Sequence, residues 1–291
     1  RDRLRSRGLG DVYKRQHLLR PVNAITRKLI RRRLAMNTET AGHDPIRLIV
    51  KRQEGPNAKP HWEEFSVAHQ PHMNVVSALM EIRKNPVNAQ GKPTIPVVWE
   101  SVCLEEVCGA CTMIINGTPR QACSALIDDL RQPIRLEPLT KFPLVRDLKV
   151  DRTLLFDALK KTHAWIDIDG PFDLGPGPRM SARTQSWAYE LSRCMTCGCC
   201  FEACPNTGHT NQFLGPAAIS QVRLFNAHPT GKLNKQERLR SIMGADGITS
   251  CGNAQNCVRV CPKDIPLTTS IAQMNRDTTV QSIRNVFGSD A

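Results

Sequence analysis

The chain has 291 residues, of which 40% are apolar and 23% charged. That is room for two domains with cores of their own, and no apolar run approaches the roughly 18 residues of a membrane span. The formal charge is +13, but +10 of it lies in residues 1–35; the +3 carried from Met36 onward is too small a field for a nucleic-acid partner.

In chain order, the first segment is compositionally foreign. SRGLGDVYKRQ, residues 6–16, resembles a translated transposase-type sequencing adaptor. Residues 1–16 are therefore expected to be non-native. Residues 17–35 are rich in Arg and free of acids, as a mitochondrial transit peptide is. Translated upstream DNA accounts for them more simply, with Met36 as the natural start; the leader is thus assigned to 1–35.

Residues 46–50 alternate with period two and read as a strand, with 61–68 as its antiparallel partner. Asn74 precedes Val75, Val76, Leu79, Met80 and Ile82 at helical spacing. Residues 94–99 read as an edge strand, because Pro96 removes a ladder donor. Together these predict an α+β protein whose first domain, 36–146, is a small β-grasp unit. From Asp151 the pattern turns helical. Asp151 is placed at an N-cap ahead of Leu154, Leu155, Ala158 and Leu159. Residues 170–178 form a Gly/Pro-rich loop. Pro216 opens a helix closed by Pro229, Asn234 and Glu237 form a capping box, and Pro266 starts the last helix. The second domain, 147–291, is expected to be all-helical.

Twelve cysteines, all from residue 103 onward and in three groups, point to metal rather than disulfides. Cys103-x4-Cys108-x2-Cys111 has the spacing of a plant-type [2Fe–2S] loop. Cys123 is the expected fourth ligand, returned to the loop by a hairpin over 112–122 that turns at Asn116-Gly117. Gly109 and Ala110 leave backbone N–H groups free to approach cluster sulfurs. A structural zinc site is the alternative, but zinc favours paired Cys-x2–4-Cys knuckles. Glu105 and Glu106 read as solvated charges.

Cys194-x2-Cys197-x2-Cys200-x3-Cys204-Pro205 is the bacterial ferredoxin run, in which the fourth cysteine serves the other cluster. The partner run is Cys251-x5-Cys257-x3-Cys261-Pro262, with Ala254 where a second thiolate would stand. Exchange between the runs makes Cys194, Cys197, Cys200 and Cys261 a complete [4Fe–4S] set. Cys204, Cys251 and Cys257 are left as three ligands with an open corner, which predicts a [3Fe–4S] cluster. Cys199 falls outside the spacing and reads as a spare buried thiol.

The three runs in this order, with words such as CLEEVCGACTMIINGTPRQACSALID, CMTCGCCFEACP and CGNAQNCVRVCPKDIPLTTSIAQMNRDTT, resemble the iron–sulfur subunit of succinate dehydrogenase and fumarate reductase, in its bacterial branch. The resemblance covers residue 45 to the end. It implies an electron-transfer chain with no catalytic acid or base of its own. Electrons would pass from the FAD of a flavoprotein subunit through [2Fe–2S], [4Fe–4S] and [3Fe–4S] clusters to quinone, with menaquinone as the usual quinone of this branch. It also implies a di-haem cytochrome b as membrane anchor, and a peripheral position on the cytoplasmic face of the bacterial inner membrane. Members that reduce ubiquinone carry a His after the first cysteine of the last run and a Trp pair after the middle CP. Here Gly252 and the stretch 206–209 stand there, so only Pro205 is carried over as quinone-proximal. His209 and His228 are expected to be solvated or structurally bonded. Trp165 and Trp187 are expected in the core or at an interface. A fumarate reductase subunit and a free-standing ferredoxin carrier are the competing readings.

Overall fold

The computed structural model describes residues 44–167, 179–208 and 211–287. The expected leader, the 170–178 loop and His209 lie outside them. The described residues from Pro45 onward form one compact unit.

Strand β1 (Ile46–Arg52) buries alternate residues Ile46, Leu48, Val50 and Arg52. It pairs antiparallel with β2 (His61–Val67), with Leu48 opposite Phe65. Helix α1 (Val75–Lys84) begins where Asn74 Oδ1 accepts the Ser77 N–H at 2.9 Å. It lays Val75, Val76, Leu79 and Ile82 into the same core as β1. Strands β3 (Thr112–Ile115) and β4 (Thr118–Gln121) are joined by Asn116-Gly117, both with positive φ, 48° and 82°. Such a turn matches the twist of paired strands. β5 (Ile134–Glu137) runs parallel to β1 and antiparallel to β3, closing a five-stranded sheet of order β2-β1-β5-β3-β4. This is the expected β-grasp plan.

The expected edge strand over 94–99 does not form; only an isolated bridge, Val87 to Pro93, is present nearby. Its polar groups are claimed elsewhere. The buried Asp147 carboxylate accepts the Val98 and Gln53 N–H groups, each at 3.0 Å, and pairs with Arg52 Nε at 3.1 Å. Arg52 also donates to Ile95 O and pairs with Glu63. Asp147 sits at the turn of a short hairpin, β6 (Leu144–Arg146) with β7 (Lys149–Val150), that periodicity does not signal.

The remainder is helical: α2 (Thr153–Lys161), α3 (Ala182–Ser192), α4 (Cys199–Ala203), α5 (Pro216–Ala227), α6 (Lys235–Ser241), α7 (Asn256–Arg259) and α8 (Leu267–Phe287). The exception is a small hairpin of β8 (Thr207–Gly208) with β9 (Asn211–Gln212). Ile219, Val222, Leu239, Ile242 and Met274 form the centre of the helical core. Two expected caps are displaced. Arg152 occupies the N-cap of α2, and Asp151 serves from one residue earlier, accepting the Thr153 N–H at 2.9 Å. Leu154, placed on the apolar stripe, is exposed, whereas Leu155 and Ala158 are buried. The capping box at α6 is absent because tertiary partners draw both members away. Asn234 donates to Asp167 at 2.6 Å, and Glu237 faces His163 at 3.4 Å.

Arg238 on α6 is 1% exposed and donates to the carbonyls of His163, Trp165 and Gly231 and to Asn226 Oδ1. It ties α5, α6 and the chain after α2 together. Arg238→Met should orphan these acceptors, of which Asn226 Oδ1 and Gly231 O are buried, and cost about 3 kcal/mol or more. Denaturant titration measures this, and a loss within experimental error would show the acceptors are satisfied without it.

Candidate metal centres

The loop before β3 wraps its own sulfurs in backbone donors. Cys103 Sγ lies 3.5, 3.3 and 3.3 Å from the N atoms of Glu105, Val107 and Cys108, and Ala110 N lies 3.4 Å from Cys108 Sγ. Positive φ at Leu104, Glu106 and Gly109 turns these amides inward. The N–H groups of Glu105 and Val107 favour the thiolate, and Cys103 is lowered to about 7. Ladder geometry brings the other two thiols together. Ala122 N donates to Cys111 O at 3.1 Å, and Cys123 is the side chain that acts on the Cys111 thiol. Burial pushes Cys111 up to about 12, against the lowering effect of the Cys123 backbone N–H. The hairpin thus returns Cys123 to the loop, as its spacing requires.

The second and third groups sort into two neighbourhoods. The side chains nearest to Cys200 electrostatically are Cys197, Cys194 and Cys261, with Cys257 last. Those acting on Cys257 are Cys204 and Cys251. Two cavities correspond: one is lined by Cys194, Cys197, Cys200 and Cys261, the other by Cys204, Cys251, Cys257, Pro205 and Ala254. No thiol stands at 254. Burial raises the pKa of Cys194, Cys200 and Cys257, and the neighbouring thiols add to it. These are soft donors whose ionised form is disfavoured there, and a bound metal core supplies the positive charge that would stabilise it. Loading must then displace protons, so apparent affinity for iron falls as pH falls.

The β-grasp and helical halves meet at the sulfurs. Gly109 has φ 69°, and a Cβ built on it would stand 2.7 Å from Cys197 Cα. Only glycine lets the first loop touch the middle run. Nearby, Glu202 on α4 is buried and accepts from Thr140 N and Oγ1 and from Lys141 N. Phe142 packs on Phe201 with ring centroids 5.2 Å apart. Gly109→Ala should force the loop off Cys197 and destabilise the protein by about 1–3 kcal/mol. A variant with an unchanged thermal midpoint would refute that packing role.

Some functional contacts escaped sequence reasoning. Glu106 is not simply solvated; it accepts from Ser124 Oγ at 2.6 Å and so ties the loop to the residue after Cys123. The two departures near the last run are neighbours: a Cβ on Gly252 would stand 2.9 Å from Asn206 Nδ2, which donates to Ser250 O. The missing side chain at Gly252 leaves the room that the Asn206 amide occupies. His228 is structurally bonded, its Nδ1 lying 2.7 Å from Thr230 Oγ1. Trp187 stacks beneath the Arg223 guanidinium, and Trp165 is 40% exposed. Among the described residues, no helix is long and apolar enough to cross a membrane.

Comparison with known proteins adds to this geometry. Residues 47–157 match the 2Fe-2S iron-sulfur cluster binding domain family, and residues 190–265 match the 4Fe-4S dicluster domain family. The succinate dehydrogenase iron-sulfur subunit of Bacillus subtilis (strain 168) is 62% identical over 84% of this chain and 97% of its own length. The fumarate reductase iron-sulfur subunit of Wolinella succinogenes is 30% identical over 79% and 95%. A chain in the structure of the Mycobacterium smegmatis Sdh1 complex in the apo form shares the fold. Its TM-score is 0.67 at 22% identity, and the match covers 82% of this chain and 98% of that one.

Proposed function

The chain belongs to the family of iron–sulfur subunits of succinate dehydrogenase and fumarate reductase, and from that premise we propose that it joins a flavoprotein to membrane quinone through three iron–sulfur centres. Family membership makes it an electron-transfer component of an oxidoreductase complex, with 2Fe-2S and 4Fe-4S binding domains. Cys103, Cys108, Cys111 and Cys123 would hold the [2Fe–2S] cluster. Cys194, Cys197, Cys200 and Cys261 would hold the [4Fe–4S] cluster, and Cys204, Cys251 and Cys257 a [3Fe–4S] cluster. The observation that carries the last assignment is Ala254 lining the three-thiol cavity where a fourth ligand would stand. The chain divides functionally near residue 146, with the β-grasp half holding the first centre and the helical half the other two.

When bound, such clusters supply one-electron oxidation and reduction. What the protein's own groups do is hold, shield and tune. The amides of Glu105, Val107 and Cys108 stabilise negative charge on Cys103. The buried positions of Cys111, Cys200 and Cys257 keep water from their sulfurs. Pro205 borders the cavity of Cys204, Cys251 and Cys257 and is the proposed neighbour of quinone. The partners proposed are an FAD-containing flavoprotein subunit and a di-haem cytochrome b anchor, with menaquinone as acceptor. The subunit would sit peripherally on the cytoplasmic face of the bacterial inner membrane.

Succinate oxidation is the favoured direction, since identity to the succinate dehydrogenase relative is 62% against 30% for the fumarate reductase one. Purification of the intact complex tests the reading. Flavin and haem should co-purify. Cryogenic EPR should show a three-iron signal when oxidised and a two-iron signal on reduction. A chain that purifies alone, with iron and sulfide for only one centre, would overturn it.

A further inference from the structure

Cys199 has no place in the ligand spacing, yet its environment is specialised. Its side chain is 0% exposed at the first position of α4. Gly198, at φ 90°, separates it from Cys197, the side chain that acts on it most strongly. On its other side stands Gln121, the last residue of β4 and itself 0% exposed, with Nε2 at 3.6 Å from Cys199 Sγ.

The orientation of that amide follows from its second contact. Thr112 donates its hydroxyl proton to Gly109 O at 2.8 Å, so Thr112 Oγ1 is left as an acceptor for Gln121 Nε2 at 3.2 Å. The same amide nitrogen then offers its other proton to Cys199, while Gln121 Oε1 is buried with no partner. Cys199 sulfur is thereby an acceptor towards Gln121, and its own S–H proton is free to point at Cys197. A thiol is a weak donor, but in a dry, low-dielectric setting one bond polarises the next.

We propose that Cys199 is a positioning residue for electron transfer: its thiol, oriented by Gln121, donates a hydrogen bond to the sulfur of Cys197 and raises the reduction potential of the four-iron centre held there. The physical reason is charge. A donor to a ligating thiolate disperses negative charge, and reduction adds negative charge, so the reduced state gains more. Gln121 reaches this position from the β-grasp half, two residues before Cys123. The environment of the second centre is therefore set in part by the strand that carries a ligand of the first. This inference rests on the ligand assignment for Cys197 given above.

The experiment is a redox titration of the intact complex followed by EPR, with the two-iron and three-iron centres as internal references. In Cys199→Ala the four-iron midpoint should fall, by up to about tenfold in the reduced-to-oxidised ratio at fixed potential, which is about 59 mV for one electron. Cys199→Ser, which keeps a donor, should restore most of the shift. Gln121→Leu should lower the same midpoint by less, and the other two midpoints should stay in place. A four-iron signal present in Cys199→Ala at the wild-type midpoint would sink the proposal. So would equal shifts of all three centres, which would mean a packing effect. Loss of the four-iron signal alone in Cys199→Ala would make Cys199 a ligand and also overturn it. Absence of any four-iron signal from the unmodified complex would instead refute the ligand assignment beneath it.

Discussion

Cys261→Ala is expected to abolish electron passage from flavin to quinone and to leave the helical half unstable. Cys261 belongs to the last run, but it lines the cavity of Cys194, Cys197 and Cys200. Its sulfur also accepts from Ile265 N at 3.5 Å, beside the buried Ile265 and Leu267 at the start of α8. Removing it takes away one corner of the four-thiol set and the tie between two distant segments. Burial already disfavours ionisation of Cys194 and Cys200, so those thiols gain nothing from proximity unless metal is bound. Metal binding is folding free energy in such sites, on the order of 10 kcal/mol for structural zinc. The variant should therefore lose the four-iron EPR signal, show quinone reduction at background, and unfold well below the parent temperature. Full iron content with an unchanged four-iron signal would show that Cys261 is not a ligand.

Ala254→Cys is expected to convert the proposed three-iron centre into a four-iron one. Ala254 lines the cavity of Cys204, Cys251 and Cys257, and in this chain it is exposed. An iron at that corner would have no thiolate and an open path to solvent, so it would be lost readily. A cysteine there supplies the missing soft anionic ligand at the spacing of the middle run. Iron analysis should rise by one atom per chain, and the EPR signal of the oxidised state should disappear. Since cluster type and charge set the potential, reduction of quinone should slow markedly. A correctly folded variant that keeps its three-iron spectrum would remove the open-corner explanation.

The secondary structure was legible where one residue's choice was local. Alternation in β1, the Asn74 cap of α1 and the Asn116-Gly117 turn are short-range matters of pleat, capping and φ. Expectations failed where a distant group outbid a local one. Asp147 took the amide of Val98, Asp167 took Asn234, and His163 took Glu237. In each case a partner far along the chain claimed a polar group that a local motif would otherwise use. The same holds for Glu106, whose partner Ser124 lies 18 residues away.

The proposed division of eleven cysteines into four, four and three, with its gap at residue 254, is read from spacing, because a cluster sets the distances between its corners and the chain must match them within short loops. Contacts between the halves could not be read that way. That Gly109 abuts Cys197, that Glu202 holds residues 140–141, and that Gln121 reaches Cys199 depend on how a sheet edge docks on a helix. Docking is decided by packing and by the pairing of buried polar groups, which join residues 61 to 88 positions apart and leave no period or motif along the chain.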